Sequence, residues 1–441
     1  MPVKENQPTL GIWMSISLVI GNMIGAGIFL MPAALAPYGG ISIIGWLISA
    51  AGALVLARVF SRLTLMVPGI SGGPYTFARA GLGDFAGFLV AWGYWLSICV
   101  ANAAIAIAFT GALEVLFPIL KTAPAAALCL SLMAIWMLTW INNLGLRSSG
   151  VVQVVTTILK LFPMVLLIGI GWFFWTADNF IPFNPSGETS LRAIAITGTL
   201  TLYAFLGLES ATIPSDKVKH PDRTIPKATL IGTLITTLVY ILSSVVVMGM
   251  IPASNLANST APFAEAMGII AGTFGEDLVA VGTAIAAFGA LNGWILIQSQ
   301  VARATARDGL LPKIFGYENK RGVPAYGLAI GSGLCSLLVA MNYTEGLVTQ
   351  FRFLILLCTL CTLIPYLFSA AAYTALSLQR ATGRQVGGIV LIGGLAFAYS
   401  LWAVYGAGEA AVFWGFHLLI LGIPIYVFMK WKNSKESKLG D

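Results

Sequence analysis

The sequence contains little charge for its length. Only 9% of its 441 residues are Asp, Glu, Lys or Arg, whereas 58% are apolar. A soluble protein of this size needs more charged residues to stay in solution. The composition therefore indicates a polytopic membrane protein. The first apolar stretch, residues 10–36, is too long for a signal-peptide core, and we expect it to be retained as the first membrane span.

Cysteine and histidine are also scarce. The chain has five cysteines, all in apolar stretches, and two histidines, so no disulfide framework is expected. The pair Cys358-x-x-Cys361 has no neighbouring His or further Cys, which argues against a zinc or redox site. Without a nucleophile triad, a metal-ligand cluster or a sensory domain, the sequence predicts neither an enzyme nor a receptor, and it predicts no metal and no cofactor.

The basic residues are unevenly placed. Apolar runs predict about twelve membrane spans, at roughly residues 10–36, 40–63, 83–113, 123–143, 150–175, 192–214, 228–251, 277–302, 325–342, 347–378, 386–407 and 410–430. With the N-terminus inside, most Lys and Arg residues fall in inner loops and the tail, while the outer loops carry mainly acids. This positive-inside pattern predicts a multi-pass protein of the cell inner membrane with both termini cytoplasmic. The net charge of +7 is therefore a topology signal and not a sign of nucleic-acid binding.

Two spans carry irregular segments at corresponding places. Span one contains Gly21–Phe29 with Gly25-x-Gly27, and span six, five spans later, contains Gly207 and Glu209. A carboxylate in hydrocarbon costs roughly 2.5 to 3.5 kcal/mol, so Glu209 must face protein, water or a ligand, or carry a proton. Paired interruptions of this kind are typical of an inverted repeat with a substrate site at its interface. Close helix packing is the alternative interpretation of the glycine pair.

These segments resemble the amino acid–polyamine–organocation superfamily. Gly25–Phe29 resembles its first-helix motif, and residues 202–211 are similar to the sixth-helix signature of its basic amino acid/polyamine antiporter branch. Further similarity lies at residues 221–226, 258–263 and 364–367, in collinear order over nearly the whole chain.

The resemblance implies an all-α integral membrane protein of twelve transmembrane helices with the LeuT-type fold. That fold is a five-plus-five inverted repeat with broken helices 1 and 6, followed by helices 11 and 12. Residues 1–431 would form one transporter domain, with repeats at about 10–175 and 192–379, helices 11–12 at about 386–430 and a cytoplasmic tail at 432–441. The oligomeric state stays open, with a homodimer as one option.

The resemblance also implies a function. We expect exchange of a cationic amino acid of the arginine, ornithine or lysine type for its decarboxylated amine by alternating access. Lys160 supports an alternative, because Val152-Gln153-(six residues)-Lys160-Leu161 resembles proton-coupled and light-chain amino acid transporters of the same superfamily, where the ammonium replaces a sodium ion. That alternative is a proton-coupled symporter or exchanger of neutral amino acids. Snorkelling to the interface would also explain a lysine, although Lys160 lies roughly 15 Å into span five.

The substrate is expected at the two interruptions. A helix that restarts after Gly25 offers backbone N–H groups to a carboxylate, and the carbonyls near Tyr203 and Leu206 would receive the α-amino group. The antiporters often have serine at the Ala26 position, so alanine weakens the carboxylate contact or shifts the preference towards amines.

Trp294 is similar to a tryptophan that stacks on the guanidinium of the substrate, a cation–π contact. The predicted substrate-binding residues are Asn22, Ile24, Ala26, Gly27, Tyr94, Asn102, Tyr203, Leu206, Trp294, Cys358 and Tyr366. Interfacial belts are the alternative for the aromatic residues.

Four residues complete the expectations. Glu209 and Lys160 are predicted to take part in proton coupling, with a structural glutamate bonded to backbone as the alternative for Glu209. Tyr75, in Gly72-Gly73-Pro74-Tyr75, belongs either to an inner gate, as the resemblance suggests, or to a plain turn. Arg352 is expected to snorkel, but it would repel cationic substrates if it faced the pathway.

Overall fold

The fold is built from helices of very unequal length. The computed structural model describes residues 10–342, 347–381 and 383–440, with side chains described except at Lys121, 342–358 and 436–440. Within these ranges the α-helices are α1 Ile12–Met23, α2 Met31–Leu35, α3 Ser42–Met66, α4 Pro74–Leu82, α5 Asp84–Leu116, α6 Ile119–Thr122, α7 Pro124–Asn143, α8 Leu146–Gly171, α9 Ser190–Leu202, α10 Pro221–Met250, α11 Ala253–Leu256, α12 Pro262–Arg307, α13 Ala325–Asn342, α14 Leu347–Leu378, α15 Val386–Gly406, α16 Glu409–Ile420 and α17 Ile423–Gly440. Short 3-10 turns link several of them, and Leu10 forms an isolated parallel bridge with Val218.

Long apolar helices dominate the described chain. Among the described residues, ten helical segments are long and apolar enough to cross a bilayer, and two shorter apolar helices, Ile12–Met23 and Ala325–Met341, accompany them. The difference from the twelve expected spans arises mainly because Ile12–Met23 and Ala325–Met341 fall short of a full span by length. Over the described residues, the chain therefore has the all-helical fold of a membrane protein.

The helix α12 begins earlier than the sequence suggests. The predicted span starts at residue 277, whereas the helix starts at Pro262, where a proline fits because the first helical N–H has no partner in any case. The chain bends at Ala271 and Gly272, and Gly272 has φ 60°, a left-handed conformation that glycine adopts without steric cost. The bend divides a short first arm from the long arm that crosses the molecule.

Burial separates inner from outer helices. In the most apolar 18-residue stretch of α12, 78% of the residues are buried, against 22% in the corresponding stretches of α15 and of the last helices. The helix α12 therefore lies at the centre of the molecule and the last helices at its periphery. The helix α12 packs against α5 and α8, α1 packs against α10 and α8, and α14 packs against α5. These inner helices surround the two interruptions.

Candidate functional site

The first interruption follows α1 directly. The helix ends at Met23, Ile24 is extended (φ −82°, ψ 90°), and a 3-10 helix resumes over Ala26–Leu30. Two glycines within three residues remove the side-chain bulk and lower the helix propensity at this point. The chain therefore leaves several carbonyl groups at the end of α1 without a partner inside the helix.

Lys160 supplies partners to two of these carbonyls. Its side chain on α8 is fully buried, and Nζ donates to the Gly21 carbonyl at 2.7 Å and to the Ile24 carbonyl at 2.6 Å. An ammonium group that satisfies backbone oxygens at a broken helix occupies the kind of position that a bound cation would take. Lys160 does not snorkel to an interface in this structure.

The second interruption lies against the first. The helix α9 ends at Leu202, a 3-10 turn covers Tyr203–Phe205, and Leu206 is extended (φ −64°, ψ 136°). Gly207 has φ 104°, and a Cβ atom placed on it would lie 3.1 Å from the carbonyl carbon of Asn22. Only glycine fits both the backbone conformation and the close approach.

Asn22 connects the two interruptions. Its side-chain Nδ2 donates to Ser210 Oγ at 2.8 Å, and its backbone carbonyl accepts the indole N–H of Trp294 at 3.2 Å. Both bonds are buried and join segments far apart in the chain. The side chain therefore joins the end of α1 to the segment after the second interruption, and Asn22 also lines the adjoining cavity.

A cavity of about 340 Å³ lies at the interruptions, and we call it the central cavity. Its wall is formed by Asn22, Met23, Gly25, Ala26, Gly27, Ile28, Met31, Tyr94, Ser97, Ile98, Val100, Ala101, Ala104, Ile105, Ala108, Tyr203, Ala204, Leu206, Tyr240, Ala290, Trp294, Thr359 and Thr362. Ligand sites in proteins are typically 300–1,000 Å³ and mostly apolar with a few placed polar groups, which matches this wall. Among the described residues that line it, no side chain is acidic.

A larger space adjoins the central cavity. This vestibule has a volume of about 830 Å³ and shares Ala26, Ala108, Tyr203 and Thr359 with the central cavity. Along α12, Thr283 lines the vestibule, Trp294 lines the central cavity, and Arg303 follows at the far end. At 1.5 Å per residue these steps are roughly 17 Å and 14 Å, so the vestibule, the cavity and the far end succeed one another along one helix.

Glu209 lies behind the cavity wall. The side chain is fully buried, and it is the only acidic side chain classed as buried among the residues whose burial is described. Its carboxylate accepts the hydroxyl of Tyr94, and its other oxygen accepts the hydroxyl of Tyr366 at 2.5 Å. The Tyr366 hydroxyl in turn accepts the Gly207 backbone N–H at 3.1 Å. Three elements, α5, α14 and the second interruption, are therefore joined at one carboxylate.

At the far end of α12, on the side away from the vestibule, hydrogen bonds and ion pairs join several helices. Tyr75 donates its hydroxyl to Asp308 Oδ2 at 2.6 Å, and Arg79 pairs with the same oxygen at 2.7 Å. Burial and the neighbouring Asp308 carboxylate raise the pKa of Tyr75, so its hydroxyl stays protonated and keeps donating. Arg303, fully buried, pairs with Asp216 at 2.6 Å. We call this region the closed end.

Breaking one of these contacts should loosen the closed end. With Asp308→Asn, Tyr75 and Arg79 lose a charged acceptor. Because the side chains of Arg79 and Asp308 are 34% and 27% exposed, we expect only a several-fold effect. The measurement is the alkylation rate, in detergent, of a thiol introduced by Ser71→Cys, whose position is buried beside Arg303. We expect this rate to rise about three- to tenfold.

A matched control removes an exposed pair elsewhere. Glu188→Gln breaks the Arg192–Glu188 contact of 3.3 Å, beside the start of α9, and should leave the alkylation rate unchanged. Labelling of the exposed Cys129 is subtracted with protein that lacks the introduced thiol. Equal rates with and without Asp308→Asn would show that these contacts do not hold the closed end.

The structure brings most of the predicted residues together, but not all. Asn22, Ala26, Gly27, Tyr94, Tyr203, Leu206 and Trp294 line the central cavity. Tyr366 and Glu209 lie just behind the wall, while Ile24 is fully buried and contributes its carbonyl to Lys160. Tyr75 lies at the closed end, away from the cavity.

Three predicted positions need separate comment. Asn102 is fully buried, and its amide donates to Gln298 Oε1 of α12 at 2.7 Å. The cavity is lined instead by Ala101 and Ile105, which lie on another face of α5. Asn102 does not contact the cavity in this structure. The side chains of Cys358 and Arg352 lie outside the described residues.

Sequence reasoning missed several wall residues. The polar residues Ser97, Thr359, Thr362 and Tyr240 also line the cavity, from α5, α14 and α10. Each lies within an otherwise apolar helix. A lone Ser or Thr hydroxyl there carries no signal because it can bond to its own backbone, and a lone Tyr carries none because aromatic residues are common in membrane helices. Only the packing of helices distant in sequence reveals them.

Comparison with known proteins identifies the family. A family model described as amino acid permease matches residues 10–429. The putrescine transporter PotE of Haemophilus influenzae is 32% identical over 435 residues, 98% of this chain and 99% of that protein. The cadaverine/lysine antiporter of Escherichia coli K12 is 35% identical over 367 residues, 82% of each chain. The arginine/ornithine antiporter of Pseudomonas aeruginosa is 33% identical over 425 residues, 92% of this chain and 87% of that protein. The predicted superfamily is thereby confirmed, and the chain belongs to the amino acid permease family of that superfamily.

Proposed function

We propose that this protein exchanges a cationic amino acid for its decarboxylated amine across the inner membrane by alternating access. The observation that carries the proposal is the buried Glu209, bonded to two tyrosines directly behind an aromatic cavity at two helix interruptions. The relatives named for putrescine, cadaverine and lysine, and arginine and ornithine support the substrate class. The protein acts as a transporter and not as an enzyme.

The carboxylate and amino groups of the substrate would take different interruptions. The backbone at Ala26 and Gly27 faces the cavity and would receive the carboxylate. The carbonyls of Gly21 and Ile24 already bind Lys160, and that of Asn22 binds Trp294. The α-amino group therefore turns to the second interruption, at Tyr203 and Leu206, which also line the cavity.

The distal cation would lie among aromatic rings. Tyr94 and Trp294 lie edge to face with their centroids 6.4 Å apart, and both line the cavity. Aromatic faces attract a desolvated cation by about 0.5–2 kcal/mol. Glu209 adds its charge from behind Tyr94, where the low dielectric of the interior strengthens attraction. Protonation of Glu209 would weaken that attraction and accompany release.

The topology forms part of the same proposal. The closed end carries Arg79, Arg303 and Arg307, with Lys217 close to the last two. The positive-inside rule therefore makes it the cytoplasmic side and the vestibule the outer side. The structure would then be an outward-facing state, with both termini in the cytoplasm. Twelve spans and a five-plus-five inverted repeat agree with interruptions in the first and sixth positions.

Lys160 favours a second candidate. Its contacts with Gly21 and Ile24 place a fixed ammonium at the broken helix, as in a proton-coupled symporter or exchanger of neutral amino acids. A fixed charge there also removes the need for sodium. The absence of an acidic side chain from the described cavity wall is compatible with a neutral substrate.

A competition assay separates the two candidates. Uptake of radiolabelled arginine into cells or vesicles is challenged with agmatine, ornithine, putrescine, lysine and alanine. We expect the cationic compounds to compete and alanine not to compete. Absence of arginine uptake in cells or vesicles that do take up radiolabelled alanine would exclude the proposed substrate class and support the neutral one.

A further inference from the structure

Tyr240 contacts both interruptions from a helix that is itself unbroken there. It lies in α10, is fully buried, and donates its hydroxyl to the Met23 carbonyl at 2.6 Å. Its ring centroid lies 6.0 Å from that of Phe205 in an edge-to-face arrangement, and Phe205 belongs to the second interruption. One side chain thus touches the last residue of α1 and the turn that follows α9.

The bond to Met23 has a geometric consequence. The carbonyls at the end of a helix need partners from elsewhere, and a neighbouring N–H, that of Gly25, reaches the same oxygen at 3.1 Å. The Tyr240 hydroxyl is the second and shorter contact, so it helps to fix the peptide plane between Met23 and Ile24. That plane directly precedes Gly25–Gly27, which form part of the cavity wall.

The ring of Tyr240 is held in place on two sides. Trp46 of α3 lies with its ring centroid 5.6 Å away and also packs edge to face on Phe205 at 5.9 Å. Aromatic pairs of this geometry add roughly 0.5–1.5 kcal/mol beyond their buried area. The three rings form a rigid cluster, so the position of the hydroxyl is determined by the same contacts that hold the second interruption.

We propose that Tyr240 is a positioning residue for the substrate site, which sets the turn at residues 24–27 relative to the turn at residues 203–206. The inference rests on the proposed function, because the two turns are the proposed binding sites of the substrate's carboxylate and amino groups. Tyr240 also lines the cavity, but its hydroxyl is engaged by Met23 and its role is exerted through the backbone. Loss of the hydroxyl should therefore weaken substrate binding while the transport cycle continues.

The test compares two tyrosine-to-phenylalanine substitutions in the full-length protein in proteoliposomes. Tyr240→Phe keeps the ring cluster and removes only the hydroxyl, and we expect KM for the cationic amino acid to rise about five- to tenfold with Vmax nearly unchanged. The control is Tyr399→Phe, because the Tyr399 hydroxyl also donates to a backbone carbonyl, that of Ser49, at 3.1 Å. This control should leave KM and Vmax unchanged.

Several results would overturn the inference. These are an unchanged KM in Tyr240→Phe, a fall in Vmax alone, or equal effects of the two substitutions, which would indicate a merely structural hydroxyl. If Tyr240→Phe is not recovered folded, Trp46→Phe loosens the ring cluster but keeps the hydroxyl, and it should raise KM by a smaller factor. An unchanged KM there also overturns the inference. Wild-type protein that transports no cationic amino acid would instead refute the proposed function.

Discussion

Replacing Glu209 with Gln should lower the uptake of cationic substrates about ten- to hundredfold and abolish the pH dependence of that uptake. The amide carries no charge, so a cation among the aromatic rings loses the carboxylate behind Tyr94. Hydrogen bonds to charged groups contribute about 1.5–3 kcal/mol, and each 1.4 kcal/mol corresponds to a factor of ten. The measurement is arginine uptake into proteoliposomes between pH 5 and 8, for both proteins at equal reconstituted amounts.

The control for Glu209 is an exposed glutamate that also accepts a hydroxyl. Glu265 accepts the Ser259 hydroxyl at 2.6 Å on the surface, so Glu265→Gln removes the same chemical group away from the cavity. Because Glu265 is exposed and does not line the central cavity, this substitution should leave the pH profile of uptake unchanged. A Glu209→Gln protein with wild-type uptake and a wild-type pH profile would eliminate the sensing role and leave only a structural glutamate.

Substitution of Lys160 with Met should reduce uptake by at least about tenfold and lower the thermal stability of the purified protein. The methionine fills much of the same space but leaves the carbonyls of Gly21 and Ile24 without their donor. A buried group left unsatisfied costs about 1–3 kcal/mol, so two such groups cost roughly 2–6 kcal/mol. Because the first interruption depends on this contact, we expect both substrate binding and stability to suffer.

Two comparisons make the Lys160 result interpretable. Lys227→Met changes an exposed lysine of α10 and should affect neither uptake nor melting temperature. Replacement of external sodium by choline should leave wild-type uptake unchanged, because the ammonium already occupies the carbonyl site. Wild-type uptake that requires sodium, or a Lys160→Met protein that transports normally, would show that the lysine does not substitute for a cation.

The features visible in the sequence are those that conflict with their local surroundings. Gly25 and Gly27 within an apolar helix, Glu209 in an apolar segment and Lys160 deep in a span are each costly unless a specific structure compensates. The sequence therefore predicts where the helices are interrupted, as well as the two buried ionisable groups near the interruptions. The energetic cost of such a residue in an apolar helix can be inferred from the sequence without knowing which residues it contacts.

Features that arise from packing between distant helices could not be predicted in this way. The Tyr240 hydroxyl bonds Met23, 217 positions away, and Asn102 turns to Gln298 instead of the cavity, 196 positions away. The sequence places both residues in apolar helices, but it does not show which distant helix each side chain faces. The early start of α12 has a different cause: Pro262 in its first turn suits a loop as well as a helix start, so the sequence alone does not show that the helix begins there.

Counterflow in proteoliposomes tests the proposed exchange most directly. Vesicles that contain purified protein are loaded with putrescine, cadaverine or agmatine, and the uptake of labelled ornithine, lysine or arginine is measured with no imposed proton gradient. We expect uptake of at least one of the amino acids to be stimulated several-fold by its own decarboxylated amine and to be near background in empty vesicles. Uptake of these amino acids that is equally fast in amine-loaded and in empty vesicles would contradict the exchange mechanism.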